Sequence, residues 1–233
     1  MFIVLVKCSM GLLISNMFDL KVSEDAPNEI GLREQNKIEK RLRIKAAARD
    51  LFSKHGYDDT TMRAIARRAQ VGLGTLFHYA RDKRDLIFLI FNDELAELTT
   101  EALAPQPNQP LLEQLMAVFA THYYFFSRDP DLSRLLLKEL IFYSKGTQAA
   151  AFLETRGRLL AGIEAIVGRA QSKGQLGCSD SSPSIARNIF FVFSGHIRWW
   201  IAQPNPHPFA GLSDLKRSLT LQINGLDPKP RIA

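Results

Sequence analysis

The chain has 233 residues, of which 46% are apolar and 23% charged, with a formal net charge of +6. This fits a soluble protein of one or two small domains. Its two cysteines, Cys8 and Cys178, are far apart and have no nearby histidine partners, so the pattern implies neither a disulfide framework nor a zinc site and fits a reducing cytoplasm.

The opening run, MFIVLVKCSMGLLISNMF, has no basic residues ahead of its apolar block, which makes it a poor secretory signal. Lys7 interrupts it, and it falls short of the ~20 apolar residues that span a bilayer. A polar linker containing Pro27 follows. Residues 1–35 therefore read as a disordered extension, with Met17 as an internal alternative start and residues 1–30 dispensable for folding. A weak membrane tether is the competing reading.

From Arg33 to Asp85 there are fourteen Lys/Arg against seven Asp/Glu, a net +7 beside +6 for the whole chain. A basic module on a near-neutral body is the electrostatic footprint of a protein that holds a polyanion at one end. Within it, Ile44, Ala47, Ala48, Leu51 and Phe52 form one helical stripe. This first periodic helix is expected to begin near Lys37 and to stop at Gly56. Thr61 is the expected N-cap of a second helix carrying Met62, Ile65, Ala66 and Ala69. Gln70-Val71-Gly72 reads as a tight turn with Val71 as its buried plug. Leu73 to Tyr79 reads as a short third helix anchored inward by Leu76. Two short helices at this spacing are the layout of a helix-turn-helix, whose last helix lies in the DNA major groove.

The segment from about 38 to 88 resembles the DNA-binding domain of the TetR family of bacterial transcriptional regulators. The resemblance is carried by Ile44, Ala47-Ala48, Leu51-Phe52, Gly56-Tyr57, Thr60-Thr61, Ile65-Ala66, Ala69, Val71, Gly74-Thr75-Leu76, His78-Tyr79 and Lys83. It implies DNA contact by Thr61, Met62, Arg63, Gly72, Leu73, Gly74, Thr75, Phe77, His78, Tyr79 and Lys83. Gln70 stands where a turn glycine is common, Gly72 where a serine cap is usual, Leu73 in place of a lysine and Phe77 in place of a tyrosine. With those groups gone, the phosphate grip is expected to rest on Arg63, Arg67, Arg68, Arg81 and Lys83.

After Lys83, helical periods recur without strand signals. The expected helices run from Leu86 to Leu103, ended by APQPNQP, and from Leu111 to Ser127. Asp129-Pro130 opens one reaching about Phe142, and another runs from about Ala151 to Ser172. Ser182-Pro183 opens one to about Ala202, and a last runs from Leu212 to Leu226. The helix from Ile185 to Ile201 is apolar nearly all round, so it should be covered on two sides. A second subunit is the simplest second cover, with Phe190, Phe191, Ser194, Gly195 and Trp199 at the interface. The aromatic-rich layer before it makes His122, Phe126, Phe142 and Arg156 candidates for an effector pocket.

The chain is thus expected to be all-α. A three-helix helix-turn-helix domain (36–83) precedes a helical effector-binding and dimerisation domain (84–226) and a tail (227–233). The expected partners are double-stranded DNA with a palindromic operator, a second copy of the chain and a small-molecule effector. No cofactor, metal or membrane partner is expected. The sequence lacks G-x-S-x-G, P-loop and H-E-x-x-H patterns, so an enzyme is not expected. The rival from another class is an all-helical basic interaction protein, or a membrane-associated dimer, without sequence-specific DNA binding.

Overall fold

The structure, a computed structural model, describes residues 31–104 and 109–225. The expectations for residues 1–30, for Leu226 and for the tail 227–233 lie outside the described residues, as do Pro105 to Asn108 of the proline-rich helix stop. Among the described residues there are nine α-helices and no strand.

Helix α1 (Leu32–His55) begins ahead of the expected Lys37. Its first half is exposed and needs no apolar stripe, so periodicity could not reveal it. Glu34 in the first turn suits the positive end of the helix dipole. The second half buries Ile44, Ala47, Ala48 and Phe52. The helix ends at Gly56, whose φ of +79° is readily reached only by glycine. Helix α2 (Met62–Arg68) is capped as expected, the Thr61 hydroxyl accepting the Ala64 N–H at 3.1 Å. The turn puts Gln70 at φ +54°, and the Val71 N–H donates to the Ala66 carbonyl at 3.0 Å. Helix α3 (Leu73–Tyr79) is held from below by fully buried Leu76. Val71, the expected plug, is only half-buried.

Helix α4 (Lys83–Ala102) starts on Asp82, whose carboxylate accepts the Asp85 N–H at 2.7 Å. Every residue from Asp85 to Asn92 is buried, which makes α4 the spine joining the first three helices to the rest. Around it lie α5 (Leu111–Ser127), α6 (Pro130–Glu139), α7 (Ala149–Ser172), α8 (Ser182–Ile201) and α9 (Pro208–Asn224). Helix α6 stops at Glu139, short of Phe142, because the chain must turn Tyr143 inward to stack on Phe88, ring centroids 3.5 Å apart. Helix α9 opens earlier than Leu212, with Pro208 in its first turn, where a missing N–H costs nothing. Helices α7 and α8 lie along each other, and α9 packs on α5 and α8.

Candidate nucleic-acid interface and effector cavity

The α2–α3 surface presents Thr61, Arg63, Gly72, Gly74, Phe77 and His78 as exposed residues, with Thr75 half-buried beside them. Met62 and Leu73 are half-buried against the core, so packing is a large part of what they do. Two further expected contacts are tied elsewhere. The Tyr79 hydroxyl donates to the Lys37 carbonyl of α1 at 3.2 Å, and the Tyr79 carbonyl accepts from Gln148 at 2.9 Å. The Lys83 ammonium donates to the carbonyls of Tyr57 (2.6 Å) and Asp58 (2.9 Å), and lies 4.6 Å from the centre of the Tyr57 ring. Lys83, expected at a phosphate, is thus held by the α1–α2 link through two of its three N–H groups. Its charge fastens the α1–α2 link, because those carbonyls lie outside any helix and need donors.

The basic module is likewise less free than its count implies. Arg41 and Lys45 both pair with Asp93 of α4, at 2.7 and 3.1 Å, and Arg49 pairs with Glu94 at 3.0 Å. Lys54 and Arg68 share Asp50, and Arg81 reaches Asp85. These charges join the basic module to α4 or join its own helices. Of the five cations expected to grip phosphate, Arg63 and Arg67 are the ones exposed and in no ion pair among the described residues.

A cavity of about 280 Å³ lies within the body, lined from α4, α5, α7 and α8 and from the end of α6. Of the four effector-pocket candidates, His122, Phe126 and Arg156 line this cavity, whereas Phe142 does not. Phe142 is 78% exposed, since Tyr143 takes the inward position at the α6–α7 turn. The lining is mostly apolar, with Leu95, Leu159, Phe152 and Ile197 among its walls, and it includes the buried polar residues Asn92, Thr99 and Thr155. His122 is almost wholly buried, and its Nδ1 lies 2.9 Å from the Val118 carbonyl. A carbonyl only accepts, so Nδ1 carries the proton and Nε2 is left as an acceptor. Burial lowers the pKa of this imidazole, which favours the neutral form.

Two arginines complete the lining. Arg156 is exposed and lies 5.7 Å from the centre of the Phe152 ring. Arg198 is half-buried, donating from Nε to the Leu137 carbonyl at 3.1 Å and from Nη1 to the Ser194 carbonyl at 2.6 Å. It forms no ion pair among the described residues, and burial lowers its pKa. A guanidinium beside an apolar cavity without a carboxylate suits an anionic group on an apolar ligand.

The sequence model of the bacterial regulatory proteins of the tetR family matches residues 44–90, from the stripe of α1 to the start of α4. The chain is 27% identical over 165 residues to the HTH-type transcriptional repressor KstR of Rhodococcus jostii, covering 71% of this chain and 74% of that protein. To KstR of Mycolicibacterium smegmatis it is 26% identical over 210 residues, 88% of this chain and 96% of that one. The fold matches the crystal structure of Thermus thermophilus FadR, a TetR-family transcriptional repressor in complex with lauroyl-CoA. That match has a TM-score of 0.63 and 25% identity, over 83% of this chain and 98% of that one. Residues 44–90 thus match the TetR-family model, and the likeness over most of the chain is to TetR-family repressors. The chain's all-helical body after the helix-turn-helix matches the fold of that TetR-family structure.

On α8, Phe191 and Trp199 are 61% and 72% exposed, with exposed Gly195 between them on one face. Phe190 and Ser194, expected on that face, are half-buried and line the cavity. They lie toward the side of α8 on which Phe193 and Ile197 are buried. The sequence reading missed Asn92, Thr155 and Arg198. Asn92 had a signal, an amide directly after the apolar run Leu86–Phe91 on the same helix, but a single polar residue does not say which space it faces.

Proposed function

We propose that this chain is a ligand-responsive transcriptional repressor of the cytoplasm. It binds a palindromic operator as a homodimer through residues 36–83, and an amphiphilic small molecule filling the cavity of residues 84–226 releases it. The observation that carries this reading is that one helix, α4, begins immediately after the α2–α3 unit and then forms a wall of the cavity. A ligand that prefers one position of α4 must bias the placement of α3 as well. Two copies are needed because one seven-residue α3 spans too few base pairs to specify a site, and a two-fold pair reads half-sites about one helical turn apart. The stripe of Phe191, Gly195 and Trp199 is the surface proposed to join them.

The effector class follows from the lining. Long apolar walls ask for a hydrocarbon portion, and Arg156 with Arg198 asks for an anion. An acyl thioester of coenzyme A has both parts, and the lauroyl-CoA bound by Thermus thermophilus FadR supports that class. Selection of bound sequences from random DNA should recover a palindrome. Lauroyl-CoA should then weaken binding to it by ~5–150-fold, the range of typical coupling energies. Recovery of no palindrome would refute the operator reading, and unchanged affinity across acyl-CoAs of graded length would refute the effector class.

A further inference from the structure

Gln148, the residue before α7, is hydrogen-bonded to both ends of the distance between cavity and α3. Its side-chain Nε2 donates to the carbonyl of Tyr79, the last residue of α3, at 2.9 Å. Its own carbonyl accepts from Nδ2 of Asn92, a buried wall residue of the cavity, at 3.0 Å. The last carbonyls of a helix have no partner within it, so Gln148 acts as a C-terminal cap supplied to α3 by the effector-binding part of the chain. A seven-residue helix is marginal without such tertiary support, and losing a cap loosens its last turn first.

The segment that carries Gln148 is itself fixed. The Tyr143 hydroxyl donates to Asp85 Oδ1 at 2.5 Å and accepts the Gln148 N–H at 3.2 Å. Asp85 Oδ2 accepts the N–H groups of Arg81 (3.0 Å) and Thr147 (3.1 Å). Burial alone would raise the Asp85 pKa, but these hydrogen bonds outweigh it and hold the carboxyl below its usual range. Gly146 passes so close that an added Cβ would lie 2.2 Å from Asp85 Oδ1 and 2.4 Å from the Tyr143 hydroxyl oxygen. The α3–α4 and α6–α7 connections are thus joined on one buried carboxylate.

We infer that Gln148 is a positioning residue that relays cavity occupancy to α3, with the Asn92 amide as the ligand-sensing end and the Tyr79 carbonyl as the reading end. The relay rests on the effector role proposed for the cavity. It also narrows the ligand chemistry. The two N–H groups of Asn92 Nδ2 go to the Gln148 carbonyl at 3.0 Å and to its Oε1 at 3.5 Å, so a carbonyl of a thioester or ketone placed in the cavity competes with Gln148 for them, frees its backbone and withdraws the cap from Tyr79. A purely hydrocarbon ligand fills the same space without engaging this donor.

The test uses the full-length chain and two variants, Gln148→Met, which keeps the side-chain length and removes its amide, and Asn92→Leu. Without ligand, hydrogen exchange of the Leu76–Ala80 amides should quicken by about 5- to 10-fold in both variants, with the middle of α1 unchanged. The hydrogen bonds of the Asn92 amide go to Gln148, at its carbonyl (3.0 Å) and its Oε1 (3.5 Å), so an effect of Asn92→Leu on α3 would pass through Gln148. With lauroyl-CoA, Gln148→Met should bind the probe within about 3-fold of the natural chain and yet lose most of the ~5–150-fold operator release. Full release in Gln148→Met, or unchanged α3 exchange in Asn92→Leu, would overturn the relay. If lauroyl-CoA fails to bind the natural chain, the acyl-thioester class falls and the exchange measurement alone decides the relay. If Gln148→Met does not fold, Asn92→Leu decides it in the same way.

Discussion

Lys83 and Tyr57 are bound twice over: the lysine ammonium donates to the tyrosine carbonyl at 2.6 Å and sits 4.6 Å from the centre of its ring. One cation thereby closes the link between α1 and α2 from the first turn of α4. Lys83→Met should therefore destabilise the helix-turn-helix by ~1.5–3 kcal/mol, the range for hydrogen bonds to a charged group. The dependence of DNA affinity on salt should barely change. Arg63→Ala and Arg67→Ala should do the opposite, leaving the melting temperature in place and flattening the log-affinity versus log-salt slope by ~0.9 for each phosphate no longer neutralised. Thermal melts beside salt titrations on operator and random DNA separate the two behaviours.

Gly195 has open space where a Cβ would stand, so a larger residue there does not disturb the fold of a single chain. Gly195→Arg should leave single-chain stability within ~0.5 kcal/mol, as surface substitutions usually do. It should convert a dimer to a monomer in sedimentation and weaken operator binding with it. A dimer that persists would move the interface away from the Phe191–Trp199 face.

His122 ties cavity and stability to pH. Its pKa is lowered by burial in the folded state, while the unfolded chain titrates near the ordinary 6.5. The unfolded state then binds more protons below that value, so stability is at its full level above about 6.5 and declines as pH falls beneath it. His122→Leu should flatten that acidic limb of the stability curve, measured by urea denaturation at stepped pH. An unchanged limb would place the responsible groups elsewhere.

Gln70 holds φ +54° in the turn between α2 and α3, a conformation that strains a residue with a Cβ. Gln70→Gly should relieve that strain, against the greater freedom glycine gives the unfolded chain, for a net gain of up to ~1 kcal/mol. Denaturation midpoints of the two proteins check the sign. A loss of stability would mean that the Gln70 side chain makes compensating interactions.

The sequence by itself determined the local structure of this protein. The Ile44–Phe52 stripe, the Thr61 cap, the Gly56 stop and the Asp129-Pro130 start are signals written within a few residues, because helices close their hydrogen bonds locally. Helix α5 has the expected ends, Leu111 and Ser127, for that reason. Where the local signal was weak the boundaries drifted, as at the exposed first half of α1 and at the end of α6.

Tertiary structure alone decided which charges and polar groups were already occupied. Lys45 and Arg63 look alike in sequence, but Asp93 is brought to one of them and no carboxylate pairs with the other among the described residues. Phe142 and Tyr143 are adjacent aromatics, and only the packing around Phe88 turns the second inward and leaves the first in water. Arg198 and Asn92 line the cavity because α4 and α8 face each other across it, a meeting of residues about a hundred positions apart in the chain. Partners at such separations are set by how helices stack, and no periodicity within either helix records them.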